Sequence, residues 1–182
     1  MAHKAQVDYC LSVKKKFPKF FENKKVVDFG SLDINGSNRQ FFNNCEYIGL
    51  DIGPGKNVDV VARAHEYDAP DASFDVVVST EMFEHDKYLH LSLPNMVRVL
   101  RPGGLFFWTC AAPGRQEHGT RRTTPHDSPF TSQETDGWDD FYENVDEAKV
   151  RSILDIDAIF DQYEFNVLGN DIRFYGIKKS SV

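Results

Sequence analysis

The sequence predicts an α/β protein whose mostly parallel sheet closes in an antiparallel hairpin. Three observations carry that expectation. Short apolar runs such as Val26-Val27 and Val76-Val77-Val78 recur along the first 110 residues, as they do in strands buried on both faces. A glycine turn at Gly30 follows the first run, and about 20 residues later the next run ends on an acid, Asp51. Near the C-terminus, Gly169-Asn170-Asp171 separates two strand-like stretches, which is the chemistry of a hairpin.

Each element follows in order. Residues 1–23 read as a helical segment packed on the domain, with Val7 and Leu11, then Phe17, Phe20 and Phe21, at helical spacing. Lys14, Lys15 and Lys16 form its solvated face. The run from Lys24 into Asp28 is the first strand, Tyr47 to Leu50 the second, Val58 to Ala62 the third and Phe74 to Ser79 the fourth. Leu89, Leu93, Met96, Val97 and Leu100 fall on one helical face, and Arg101-Pro102-Gly103-Gly104 stops that helix. Leu105 to Thr109 is the fifth strand, and Tyr163 to Leu168 with Ile172 to Lys178 form the hairpin. Between them, Asn144 and Glu147 make a capping-box pair ahead of Val150, Ile153 and Leu154.

The first turn decides what kind of ligand fits. Gly30 lets the backbone approach a ligand because it lacks a Cβ, and Gly36 relaxes the exit of the turn. Leu32 and Asn35 stand where a dinucleotide fingerprint would place glycines, which argues against a pyrophosphate. A ligand with ribose and adenine but no phosphate needs the acid and the close backbone alone. Asp28 and Asp51 are therefore the leading cofactor-binding residues.

With those residues named, the chain resembles the class I S-adenosylmethionine-dependent methyltransferases, in particular the group called type 11. The resemblance rests on VVDFGSLDINGS, YIGLDIGPG, VARAHEYDAPDASFDVVVSTEMFEHD and MVRVLRPGGLFFWT, in that order over roughly residues 24–109. It implies a Rossmann-like fold with a seven-stranded, mostly parallel sheet and S-adenosylmethionine as cofactor. It implies further that Asp28, Gly30 and Ser31 lie along the methionine part, that Asp51 with Ile52 serves the ribose, and that Ala64 and His65 lie beside adenine. Thr80 and Glu81 would face the amino-acid end. Arg63 departs from the pattern, since relatives usually carry an acid there.

Composition sets outer bounds. The 182 residues, 41% hydrophobic and 13% aromatic, suit one compact domain across 1–182. A net charge of -7 repels nucleic acid and anionic membrane, so the expected partner is a small-molecule substrate. Cys10, Cys45 and Cys110 form no C-x-x-C pair, which suits a reducing compartment; a cytoplasmic location is expected, with no membrane span.

Two further features carry chemistry. In Glu81-Met82-Phe83-Glu84-His85, a helical turn would bring two carboxylates and an imidazole together, a set able to hold Mg²⁺ or a similar ion. Similar E-x-x-E-H runs occur in ubiquinone-pathway O-methyltransferases and plant small-RNA 2′-O-methyltransferases, where a metal activates the acceptor hydroxyl; the likeness gives the part of a further ligand to His118 or His126. The alternative is that Glu81 seats the cofactor, Glu84 bonds backbone and His85 caps the pocket. The second feature is residues 110–143, longer than an ordinary connection and read as a substrate cover. Arg121, Arg122 and Trp138 are its substrate-binding candidates, because guanidinium pairs with carboxylate or phosphate and an indole offers an apolar wall. The competing use of the arginines is pairing with Glu117, Asp127 or Asp139. His118, His85 and His126 are the candidate bases.

The expected activity is methyl transfer to an oxygen or nitrogen of a small, anionic metabolite or sugar-type acceptor. The alternatives are a metal-assisted RNA 2′-O-methyltransferase, opposed by the acidic charge, and a nucleoside-binding module without catalysis. A nicotinamide-dependent dehydrogenase lacks its three-glycine fingerprint here and leaves the hairpin unexplained.

Overall fold

The computed structural model describes residues 4–180. Its core is one seven-stranded sheet in the order β3-β2-β1-β4-β5-β7-β6. The strands are β1 (Lys25–Phe29), β2 (Glu46–Asp51), β3 (Val60–Val61), β4 (Phe74–Thr80), β5 (Leu100–Ala111), β6 (Phe160–Leu168) and β7 (Asp171–Lys178). Strands β1 to β5 pair in parallel, and β7 runs antiparallel to both β5 and β6. The predicted α/β fold with a closing hairpin is therefore what forms.

Alternation along the central strands feeds two cores. Val27, Phe29, Val77, Phe106 and Trp108 pack against α2 (Leu89–Val99), through Leu89, Leu93 and Met96. Val26, Val76, Val78, Leu105 and Phe107 pack against α1 (Lys4–Lys16), through Tyr9, Cys10 and Val13. Full burial of each such side chain contributes about 1.5–3 kcal/mol, which fixes the register of both faces. Trp108 stacks on Phe174 with ring centroids 5.6 Å apart and meets Phe83 at 5.0 Å.

Several boundaries differ from expectation. The N-terminal segment is α1 followed by a separate 3₁₀ turn, Pro18–Phe20; Phe17 leaves helical geometry ahead of a proline that has no N–H to donate. Residues 1–3 of the expected helix lie outside the described residues. Lys14 and Lys16 are also not a simple solvated face, because they bond the Phe41 carbonyl and the Tyr175 hydroxyl. Strand β3 has two residues where five were predicted. Helix α2 ends at Val99, and Arg101-Pro102-Gly103-Gly104 belongs to β5 as a bulge, since Phe74 pairs with Leu100 while Val76 pairs with Leu105. The helix end is satisfied instead by Lys178, whose Nζ donates to the carbonyls of Val97 and Leu100, each at 2.7 Å.

The predicted capping box is likewise replaced. Asp146 caps α3 (Glu147–Ile153) by accepting the Lys149 N–H at 2.7 Å, while Asn144 donates to the Ala112 carbonyl at 2.5 Å. A short α4 (Ile156–Ile159) leads into β6. No helix among the described residues is long and apolar enough to cross a membrane.

Candidate active site

The carboxyl ends of β1, β2 and β4 open into a cavity with about 940 Å³ of empty volume, counting its mouth. Its floor is the turn after β1. Gly30 has φ +80°, and a Cβ there would lie 2.8 Å from the Met82 Cβ, so both the conformation and the close approach require glycine. The Gly30 and Ser31 N–H groups donate to the Leu50 carbonyl at 2.8 and 3.0 Å. Asp33 braces the rest of the loop by accepting from Gly36 N–H at 2.7 Å and Asn57 at 3.0 Å.

Asp51 ends β2 at the cavity wall. Its two oxygens accept the N–H groups of Leu32 at 3.0 Å and Ile52 at 2.8 Å, which holds the carboxylate in one orientation. Each oxygen keeps acceptor capacity for a ligand diol. Burial nonetheless raises its pKa.

Asp28 lies deeper, 1% exposed. It accepts from the Tyr47 hydroxyl at 2.6 Å and from Asn38 Nδ2 at 3.3 Å. Burial pushes its carboxyl up to about 7 despite those two bonds. Asn38 also donates to Thr80 Oγ1 at 3.0 Å and accepts from Gln6 of α1 at 3.3 Å. Gln6, Asn38 and Tyr47 were not singled out as site residues: Asn38 and Tyr47 lie beside or within the motifs but carry no charge to mark them, and Gln6 is brought to Asn38 only by the packing of α1.

Of the other sequence candidates for the cofactor, Ser31, Ile52, Ala64, Thr80 and Glu81 line the cavity. His65 does not: its ring packs on Tyr88 with centroids 4.6 Å apart. Arg63 reaches across the mouth, pairing with Glu134 at 3.0 Å and lying 5.2 Å from the Trp138 ring.

The E-x-x-E-H run divides at Glu81. That residue has φ +56°, unusual for a side chain with a Cβ, so it leaves β4 in a left-handed kink rather than opening a helix. Its Oε1 accepts from Thr109 Oγ1 at 2.7 Å, and its Oε2 stands 4.0 Å from Arg115. Glu84 and His85 follow in a 3₁₀ turn, Phe83–His85, and His85 lines the cavity along with Glu81. They meet His118, and ligand atoms of the three lie within 4.8 Å of one another. Both Glu84 oxygens, His85 Nδ1 and His118 Nε2 are shut from solvent with no hydrogen-bond partner among the described residues. Tyr142, whose hydroxyl is also unpartnered, packs its ring on both histidines at 5.6 and 5.1 Å. Burial raises the Glu84 pKa and lowers that of His85 to about 3. Of the expected candidates Glu81, Glu84, His85 and His118, the structure brings the last three together and leaves Glu81 outside the group.

The connection 112–146 covers the cavity with 3₁₀ turns and loops. Trp138 lines the cavity and its indole N–H donates to the His85 carbonyl at 2.7 Å. Phe130 rests on Gly53, where a Cβ would collide with its ring. Arg121 and Arg122 point away from the cavity: Arg121 pairs with Asp139 at 3.3 Å and Asp140 at 2.9 Å, and Arg122 with Glu117 at 2.7 Å. Charge neutralisation by local acids accounts for both. His126 is 77% exposed beside Asp127 and joins neither cavity nor cluster.

Comparison with known proteins agrees with this geometry. Residues 32–108 match a family model described as a methyltransferase domain. No curated protein matches the chain in sequence. Among solved structures, phosphoethanolamine N-methyltransferase 2 of Haemonchus contortus, in complex with S-adenosyl-L-methionine, superposes with TM-score 0.67 at 16% identity over 95% of this chain and 53% of its own. The chain thus spans about half the length of that protein. The 1,6-didemethyltoxoflavin-N1-methyltransferase of Burkholderia thailandensis, with its substrate and S-adenosylhomocysteine bound, superposes with TM-score 0.59 at 12% identity over 99% of this chain and 93% of its own. A putative methyltransferase in complex with the Haloferax volcanii Trm112 activator gives TM-score 0.59 at 14% identity, covering 100% and 99% of the two chains.

Proposed function

We propose that this chain, a class I S-adenosylmethionine-dependent methyltransferase by its fold and family match, transfers a methyl group to an oxygen or nitrogen of a small molecule. The observation that carries the reading is the cavity formed by Gly30, Asp51 and the cover, in which a bare glycine turn faces a carboxylate fixed by two backbone N–H groups. Solved relatives support a small acceptor: one Haemonchus contortus structure holds phosphomonomethylethanolamine with S-adenosylhomocysteine, another relative a toxoflavin precursor.

Transfer at a sulfonium methyl releases a neutral thioether, so the protein's task is to align the reactants and exclude water. Asp51 orients the ribose, Asp28 and Asn38 hold the amino-acid end, and Trp138 closes the site above Thr80 and Glu81. S-adenosylhomocysteine at about 100 times its dissociation constant should add about 2.7 kcal/mol of stability and raise the melting temperature by about 5–10 °C. NAD should not. Asp51→Ala should lose most of the shift; a folded Asp51→Ala protein that keeps full affinity would show that the ribose lies elsewhere.

The buried Glu84, His85 and His118 group favours a second, compatible reading, a divalent ion beside the acceptor. Two imidazoles and one carboxylate suit Zn²⁺, Mn²⁺ or Fe²⁺ better than the Mg²⁺ that paired carboxylates would suggest. Such an ion would supply Lewis-acid stabilisation of an acceptor oxyanion. Metal analysis after dialysis should find about one ion per chain, lost in the His118→Ala variant. Retention of no ion after incubation with each of the three metals would leave Glu84 and the histidines as a packing cluster.

A further inference from the structure

Arg173 lies near the start of β7, paired with Thr109 of β5 and Asn166 of β6, and is 6% exposed. Its Nε and Nη2 are shut from solvent and have no hydrogen-bond partner among the described residues. These two nitrogens form one edge of the guanidinium, the edge whose parallel N–H groups match the two oxygens of a carboxylate or phosphate. A guanidinium stays protonated, so a charge held from water with that edge unused requires an anion or pays the desolvation cost uncompensated. The Tyr9 ring, 5.6 Å away, covers one face of the group and leaves the edge unmatched.

The register links this residue to the cavity. Thr80 pairs with Thr109, and Thr109 with Arg173. Two residues before or after them on the same strands stand Val78, Phe107 and Tyr175, all in the core beneath α1, so the three side chains form a row on that face. Thr80 lines the cavity, and Thr109 holds Glu81, which also lines it. Across the seam, α1 places Gln6 in the cavity wall with its Oε1 unpartnered and buried. Arg173 is not itself in the cavity wall; its unused donors lie along the row that starts at Thr80, and the unused Gln6 acceptor lies in the wall beside that start. The surface arginines of the cover have their acids already; among the described residues Arg173 has no such partner.

We propose that Arg173 binds the anionic group of the methyl acceptor, a carboxylate or phosphate, in a subsite between α1 and the Thr80–Thr109–Arg173 row. This assignment rests on the methyltransferase reading for the word acceptor, but the anion site itself can be tested without it. Protein labelled with ¹⁵N-arginine and saturated with S-adenosylhomocysteine is titrated with inorganic phosphate, and separately with acetate, at constant ionic strength against chloride. The Arg173 Nε–H resonance, identified by its loss in Arg173→Lys, should move saturably with at least one of the two anions. Arg173→Lys should weaken that binding at least tenfold while changing S-adenosylhomocysteine affinity less than twofold. If Arg173→Lys does not fold, Thr109→Val identifies the signal through the cross-strand neighbour, and the wild-type titration decides. A resonance that neither anion moves, or saturable binding that Arg173→Lys leaves intact, would overturn the proposal. Failure of S-adenosylhomocysteine to bind would count against the methyltransferase reading instead, and the same titration of the free protein would still decide the anion site.

Discussion

Asp28 shows how a residue that lines the cavity is also held inside the fold. Its carboxyl is buried at the end of β1, facing Tyr47 and Asn38, with the more distant charges of Asp51 and Arg39 acting in opposite directions. A folded-state pKa of about 7, against 3.8 for the free group, means that the native protein holds a proton that the unfolded chain has released. The native state is thus favoured on the acid side of this window, and the contribution is lost as pH rises from about 4 to about 7. In the free protein, stability should fall across that range relative to Asp28→Asn, which has nothing to ionise there. Cofactor binding should run the opposite way. The ammonium of S-adenosylmethionine favours the carboxylate, so affinity should rise up to about tenfold per unit below pH 7 and level off above it. Calorimetric titrations at pH 6, 7 and 8 check this; a profile unchanged by Asp28→Asn would separate Asp28 from the ammonium.

At the scale of elements, what was legible in the sequence is what local chemistry determines. The runs around Val26-Val27 and Val76-Val78 became β1 and β4 because short, β-branched apolar runs suit strands buried on both faces. Gly169 at φ +63° turns the hairpin at the place its residue type announced. Tertiary contacts overrode the local signals elsewhere. Arg101-Pro102-Gly103-Gly104 looked like a helix stop, yet an Arg101–Asp75 ion pair and the β4 pairing draw it into β5. The cavity lining was legible where it lies next to a glycine turn or a strand end, as at Asp28, Gly30 and Asp51. It was not legible where a role depends on residues distant in sequence. Glu81 left its expected cluster because Thr109, 28 residues on, takes its carboxylate, and the choice the sequence left open between His118 and His126 was made by the cover folding His118 back over Glu84. Gln6 and Arg173 come from opposite ends of the chain, and no spacing rule connects them.

For the whole molecule, the cover and the sheet act as two walls of one cavity, so ligand binding and cover closure are thermodynamically linked. The cover is attached by the Trp138–His85 bond, by the Arg63–Glu134 pair and by Val145 N–H donating to Ala111 at 2.9 Å. It has no long helix or strand of its own, so it should open at lower free energy than the sheet. Arg121 and Arg122, with side chains 68% and 56% exposed, offer trypsin a cleavage point within it. If cleavage needs the cover to open, a ligand held by both walls must suppress it. S-adenosylhomocysteine at about 100 times its dissociation constant should slow cutting there by up to about 100-fold, the factor by which it favours the closed state. Arg63→Ala removes a half-exposed ion pair and a cation–π contact together worth about 1 kcal/mol, and should speed cutting about fivefold in the free protein. Equal cleavage rates with and without S-adenosylhomocysteine, in protein shown to bind it, would mean that the cover opens independently of the cofactor and that its role lies with the acceptor alone.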